Sequence, residues 1–143
     1  MLSLRAWQAG EEAATVQRLF ADPQVAQHLP WRIDSLADAE RWVAQRLGGE
    51  TVAVQLDDRV IGFVGVVQGA AELEIGYVLE RAAWGRGHGS RAVALRVAEL
   101  PRPIVAYTDP ANAASQRLLQ RCGFALVGET QHRGQPRLQF RLE

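Results

Sequence analysis

The chain has 143 residues, 48% of them apolar and 22% charged, which suits one domain around one core. Sixteen basic residues, all arginine, balance sixteen acidic ones, and a net charge of zero argues against the broad basic face that bulk nucleic-acid binding needs. A lone cysteine, Cys122, excludes an internal disulfide framework; with no signal peptide and no apolar run near the roughly 18 residues of a membrane span, the expectation is a soluble cytoplasmic monomer or homodimer.

Residues 2–7 alternate apolar with polar and predict a first strand. Gly10 opens a helix with Glu11 and Glu12 at its positive end and Ala13, Val16 and Phe20 at helical spacing. Pro23 suits a first helical position, so 23–29 reads as a short helix before a break at His28-Leu29-Pro30-Trp31. Ser35 is an N-cap with Asp38 three residues on in a capping-box relation. Leu36, Ala39, Val43 and Leu47 then form one apolar stripe that Gly48-Gly49 ends. Residues 51–56 and 60–67 flank Asp57-Asp58-Arg59 as a hairpin, and Gly69-Ala70-Ala71 turns the chain into a third strand, 72–79.

Residues 87–100 predict a helix stopped by Pro101 and Pro103, and 104–108 a buried strand. Asp109-Pro110 precedes a helix over 111–121 closed by Gly123. Two closing strands, 124–129 and 138–142, are separated by Arg133-Gly134-Gln135-Pro136. With the 23–29 segment set aside, the order is β-α-α-β-β-β-α-β-α-β-β. Antiparallel hairpins flank one β-α-β unit, which defines an α+β or mixed α/β domain over 1–143.

The chemistry concentrates where a strand runs into Trp84-Gly85-Arg86-Gly87-His88-Gly89-Ser90 and then a helix. Three alternating glycines let several N–H groups converge, and the helix N-terminus behind them carries unpaired donors and about half a positive charge. That is a pyrophosphate cradle, to which Arg86 adds a charged contact; the plain alternative is a tight turn. Val at Gly87 or Gly89 is expected to weaken binding there and leave the fold intact. A dinucleotide loop wants G-x-G-x-x-G directly after a strand, whereas the spacing here is G-x-G-x-G after five intervening residues. No Gly-Lys-Ser/Thr exists for a Walker loop.

Three segments, Glu74-Ile75-Gly76-Tyr77-Val78-Leu79, Trp84 to Ser90, and Asn112-x-x-Ser115 with Arg121-x-Gly123-Phe124, follow one another between residues 74 and 124, and Leu4-Arg5 on the first strand with Asp22-Pro23-Gln24-Val25 after the first helix extend the pattern over nearly the whole chain. In this order and spacing the sequence resembles the GNAT superfamily of N-acetyltransferases, nearest its RimJ/RimL-like branch. The resemblance implies a mostly antiparallel sheet with a V-shaped splay, acetyl-CoA as co-substrate and no metal. It implies a pantetheine arm on the backbone near Tyr77, Val78 and Leu79, with Asn112 holding the arm or the loop. The pyrophosphate would rest on Gly85, Arg86, Gly87, His88, Gly89 and Ser90, and the Val78 amide would serve the oxyanion.

Direct attack of an amine on a thioester needs a base, an oxyanion donor and a proton for the thiolate. Glu72 and Glu74 project to the same side of their strand, and either suits the base; the resemblance points to Glu74. Leu119 stands where many relatives carry a phenol, and the resemblance implies that Ser115 contacts the sulfur instead, with Tyr107 as a fallback acid. The bland reading of Ser115 is helix capping. Trp31 and Glu72 are candidates for the acceptor site, and His28, Trp42, Gln131 and His132 lie near it by position. The expected function is transfer of an acetyl group to a primary amine. The alternatives are a non-catalytic acyl-CoA-binding module and a dinucleotide-binding protein.

Overall fold

The periodicities in the sequence place the elements to within a few residues. The structure is a computed structural model describing residues 1–29, 31–46, 51–69 and 71–143. Its elements are β1 (Leu2–Arg5), α1 (Glu11–Phe20), α2 (Pro23–Ala26), α3 (Leu36–Arg46), β2 (Val52–Leu56), β3 (Arg59–Gln68) and β4 (Leu73–Leu79). A 3-10 turn (Arg81–Ala83) leads to α4 (His88–Val97), β5 (Ile104–Thr108), α5 (Ala113–Arg121), β6 (Ala125–His132) and β7 (Gln135–Leu142). Leu47 and the Gly48-Gly49 stop, Pro30 of the expected break, and Ala70 of the expected turn lie outside the described residues.

Seven strands form one sheet in the order β1-β2-β3-β4-β5-β7-β6. Every neighbouring pair is antiparallel except β4 and β5, which α4 connects as the expected β-α-β unit. Alternation along β4 sorts its side chains between the two faces. Val78 packs with Phe63 of β3 against Val16, Leu19, Phe20 and Trp42 of α1 and α3. Ile75 and Leu79 face the opposite way, into a core shared with Ala92 and Val93 of α4 and Leu118 and Leu119 of α5. Glu74 and Gly76, in step with Val78, lie on the α1–α3 face.

Local chemistry explains the helix starts. The Asp22 side chain accepts the Gln24 amide ahead of Pro23, and the Ser35 hydroxyl accepts the Asp38 amide at 3.1 Å. The Asp38 carboxylate reaches past Ser35 to the Asp34 amide, so the reciprocal half of the capping box falls one residue early. The α3 stripe also differs from expectation. Ala39 and Trp42 are buried, whereas Leu36 in the first turn is 44% exposed, because the core begins one turn further in.

The β2–β3 and β6–β7 hairpins are tighter than the sequence suggests. Asp57 takes a left-handed conformation between β2 and β3. Arg133 (φ 53°) and Gly134 (φ 77°) alone connect β6 to β7, a two-residue turn whose positive φ angles match strand twist. Gln135 and Pro136, expected in the turn, belong to β7 instead. Pro136 is tolerated because β7 pairs with β5 only from Leu138 to Leu142.

Gly62 of β3 shows how closely β3 and β4 approach. A Cβ there would sit 2.1 Å from the Val78 carbonyl oxygen and 2.9 Å from the Leu79 Cα, and backbone cannot step aside as a flexible side chain can. Gly62→Ala is expected to destabilise the fold by about 1–3 kcal/mol, read as a lowered midpoint in urea unfolding.

Candidate active site

Parallel pairing between β4 and β5 covers Leu73↔Ile104 and Glu74↔Val105. Past these pairs the strands part, and a cleft of about 970 Å³ opens between Ile75–Leu79 on one side and Ala106–Thr108 on the other. The ends of the β3/β4 ladder set which peptide groups face it. Glu80 donates to the Ile61 carbonyl, and Gly69 donates to that of Glu72. With a period of two between these ends, Val78 turns its peptide groups toward β3, while those of Tyr77 and Leu79 turn toward the gap. The amide of Val78, expected to serve an oxyanion, is therefore directed away. The gap-facing amides are those of its neighbours.

The glycine loop rims one end of the cleft. Gly85 (φ 74°) and Gly87 (φ 80°) occupy left-handed conformations, and Gly87 stands as the N-cap of α4 with no side-chain cap. The first amides of α4 consequently keep their donors for a ligand. His88, Gly89 and Ser90 line the cleft with Gly85 and Gly87, whereas Arg86 is exposed and does not line it. Trp84, at the rim, donates its indole N–H to the Leu79 carbonyl at 2.9 Å and pins the loop to the end of β4.

Gly89 has a different reason to be glycine. A Cβ there would meet Leu118 Cδ1 at 2.7 Å and Leu79 Cδ1 at 3.5 Å, so α4 lies directly on α5 and β4. Val at this position therefore requires the Leu118 side chain to move, a packing demand that the sequence expectation of an intact fold did not include. Gly87, with nothing within 4 Å of its Cβ position, carries conformational strain alone.

On the α5 side of the gap, Tyr77 Oη and Ser115 Oγ lie 2.7 Å apart. The capping of α5 is done by Asn112, whose side chain accepts the Ser115 amide at 3.2 Å. The serine hydroxyl is thereby left for the tyrosine. Burial pushes the Tyr77 phenol up to about 12, outweighing the opposing hydrogen bond from Ser115. Cys122 rests beneath the loop with its Sγ 3.4 Å from the Ser90 carbonyl, and burial raises its thiol pKa.

On the opposite face, Glu74 Oε1 lies 3.2 Å from His132 Nε2 and its Oε2 lies 3.6 Å from Arg133. The His132 ring stacks on Tyr107, with centroids 3.7 Å apart and planes 7° from parallel. Burial first, then Glu74 and Glu72, raise the Tyr107 phenol. Arg133 also sits over Trp31, 5.8 Å from its ring centroid. Trp31 meets Trp42 edge-on at 5.3 Å, and Trp42 packs on Phe63. Nearby, His28 Nδ1 lies 2.9 Å from Asp109 Oδ2, and Arg137 approaches the same oxygen at 3.9 Å. The Ala111 amide and then His28 hold the Asp109 carboxyl below the usual range.

The structure thus gathers Glu74, Ser115, Tyr77, Val78, Leu79, Asn112 and Trp31 around one cleft with most of the glycine loop. It separates Glu72, which lies just before β4, bonds Arg141 at 2.9 Å and does not line the cleft. Its assignment to the acceptor site is withdrawn, since β7 already occupies that carboxylate. Sequence reasoning gave no role to Asp109, Arg133 or Arg137 at this end and named His132 by position only. Their grouping depends on the β6–β7 hairpin folding back over β4. The clue in the sequence was the pair of basic residues around the Gly134 turn. Among the described residues no group of three or more His, Cys, Asp or Glu is placed to hold a metal, and no helix is long and apolar enough to cross a membrane.

Residues 1–125 match the model of the acetyltransferase (GNAT) domain, and the chain belongs to this family. Its fold is similar to that of several solved structures. An acetyltransferase of the GNAT family from Bacillus anthracis is 18% identical, with a TM-score of 0.81 over 99% of this chain and 93% of that one. Aminoglycoside acetyltransferase AAC(6')-Ib in complex with coenzyme A is 17% identical, with a TM-score of 0.84 over 99% and 94%. RimL, a ribosomal L7/L12 alpha-N-protein acetyltransferase in complex with coenzyme A, is 17% identical, with a TM-score of 0.82 over 99% and 93%. GNAT enzymes use acetyl-CoA as co-substrate; the cleft presents a polar backbone edge and a helix start that no side chain caps.

Two outcomes follow. Gly89→Val lowers the thermal midpoint because Leu118 must move, whereas Gly87→Ala costs only the strain of its left-handed φ, about 1 kcal/mol; differential scanning calorimetry of both variants checks this. Raised from the usual 10, the Tyr77 phenol contributes stability that is complete below pH 10 and is lost as pH rises toward about 12. Tyr77→Phe is expected to flatten that alkaline loss in urea titrations across this window.

Proposed function

We propose that this protein transfers an acetyl group from acetyl-CoA to a primary amine by direct attack. The observation that carries the reading is the parting of β4 from β5 between a carboxylate on one sheet face and a hydroxyl pair on the other. The pyrophosphate rests on the amides at the start of α4, with Gly85 and Gly87 shaping the approach. The pantetheine arm threads the gap along the peptide edges of Tyr77 and Leu79, and Asn112 steadies the start of α5 beside it.

The amine approaches from the α1–α3 face. Glu74 takes its proton, directly or through one water, and the freed lone pair attacks the thioester carbonyl. Negative charge on the carbonyl oxygen meets an amide turned into the gap, that of Tyr77 or Leu79. As the tetrahedral intermediate collapses, its nitrogen gives up the extra proton to water, the carbon–sulfur bond breaks, and the thiolate departs toward the α5 face, where that proton is made good. There Ser115, backed by Tyr77, supplies the hydrogen bond or proton. A phenol held near 12 stays protonated throughout the neutral range, so the pair keeps a proton to offer. Tyr107 packs against His132, which favours Ser115 over it as the group nearest the sulfur.

Acetyl-CoA turnover against a panel of amines and peptides, followed by thiol release, tests the reading. Glu74→Gln is expected to lower kcat/KM about a hundredfold or more with coenzyme A affinity unchanged by calorimetry. Ser115→Ala is expected to lower kcat about tenfold. Binding of coenzyme A with no turnover of any amine would leave an acyl-CoA-binding module, and binding of a nicotinamide cofactor in its place would overturn the assignment altogether.

A further inference from the structure

The acceptor side of the cleft has a floor made of two glycines. Gly65 of β3 and Gly76 of β4 are cross-strand partners, and they lie between the Val67–Glu74 pair and the Phe63–Val78 pair. All six residues share the face that α1 and α3 cover, since positions two apart along a strand point the same way. Where four neighbours carry side chains, the central pair carries none, and a shallow trough runs from Glu74 to Phe63. A Cβ at Gly76 would meet nothing within 4 Å, and this glycine has no left-handed φ to require it. Neither packing nor backbone conformation explains why Gly76 lacks a side chain.

The walls and charges around this trough define what fits. Trp31, Trp42 and Phe63 give it an aromatic side. Glu74 and Asp109 are the acids among the described residues lining the cleft. Each already faces one histidine and one arginine: His132 and Arg133 for Glu74, His28 and Arg137 for Asp109. A second ammonium on the acceptor would have to compete with a guanidinium for either carboxylate, and would otherwise be desolvated beside a like charge.

We infer that the trough over Gly65 and Gly76 is the acceptor slot, and that it takes a primary amine on a flat or slender apolar body with no second positive charge. The inference rests on the acetyltransferase reading above. The amine points along the trough to Glu74, and its apolar body lies across the glycines against Trp31 and Trp42. A ring can lie flat on the two glycines, where a cross-strand side chain would hold it off.

The test compares acetyl transfer to 2-phenylethylamine, spermidine and kanamycin by the wild-type protein, then repeats it with Gly76→Ala and Gly76→Leu. The expected result is a kcat/KM for 2-phenylethylamine at least about tenfold above the two polycations. Gly76→Leu is expected to lower it by about tenfold or more, mainly through KM, with Gly76→Ala between. Its side chain projects to the α1–α3 face, away from Tyr77 and α4, so coenzyme A affinity by calorimetry should stay within about threefold. A polycation used as well as 2-phenylethylamine, or unaltered kinetics in a folded Gly76→Leu that binds coenzyme A, overturns the slot. Loss of coenzyme A binding by the wild-type protein would instead overturn the acetyltransferase reading. If Gly76→Leu does not fold, Gly76→Ala and Trp31→Ala carry the comparison: both raise KM for 2-phenylethylamine, and no change in either sinks the proposal.

Discussion

The parting of two strands governs this structure. A sheet is stable when each peptide group finds a partner on the neighbouring strand, and β4 and β5 share only two register pairs before they diverge. Beyond Glu74 the gap-side peptide groups of β4 need other partners. The Trp84 indole takes the Leu79 carbonyl, and in doing so ties the glycine loop to the strand it follows. The start of α4 then stands at the mouth of the same gap, with amides that no side chain caps. One unfilled stretch of ladder therefore fixes where a ligand's polar chain can run and where its charged end can rest.

The period of two in β4 divides the chemistry between the faces. Glu74, Gly76 and Val78 belong to the α1–α3 side; Ile75, Tyr77 and Leu79 belong to the α4–α5 side. A carboxylate backed by His132 and Arg133 and a phenol–hydroxyl pair stand on opposite faces of the sheet, joined through the gap. A one-residue slip in β4 would exchange the faces, and Gly62, pressed against the Val78 carbonyl and Leu79 Cα, opposes such a change. Close packing of β3 on β4 thus maintains the register on which both groups depend.

Much of this was readable from pattern. Strand β5, the turn glycines 85 and 87, the Asn112 cap and the Glu74–Leu79 segment each carry a local signature, and the structure places them within a residue or two of expectation. What pattern could not supply was cross-chain pairing. Ser115 admitted a capping role until Asn112 took the cap and Tyr77 took the hydroxyl. Glu72 and Glu74 looked alike by alternation, but Arg141 of β7 holds one while the β6–β7 turn delivers His132 and Arg133 to the other. Gly89 reads like the glycines beside it, yet what it avoids is Leu118, a contact that no local period reveals. The Val78 amide was misassigned for the same reason, because its direction follows from register with β3.

Arginine supplies every side-chain cation in the chain apart from histidine, and the guanidinium ion pairs with the acids of the cleft are accordingly made by Arg133 and Arg137. Lysine's ε-amine can lose its proton and become a nucleophile, whereas guanidinium stays charged at any ordinary pH. In a family that handles a reactive thioester, this chain presents no lysine for that thioester to modify. The side-chain cations of its surface and cleft walls keep their charge however long the acyl donor is present.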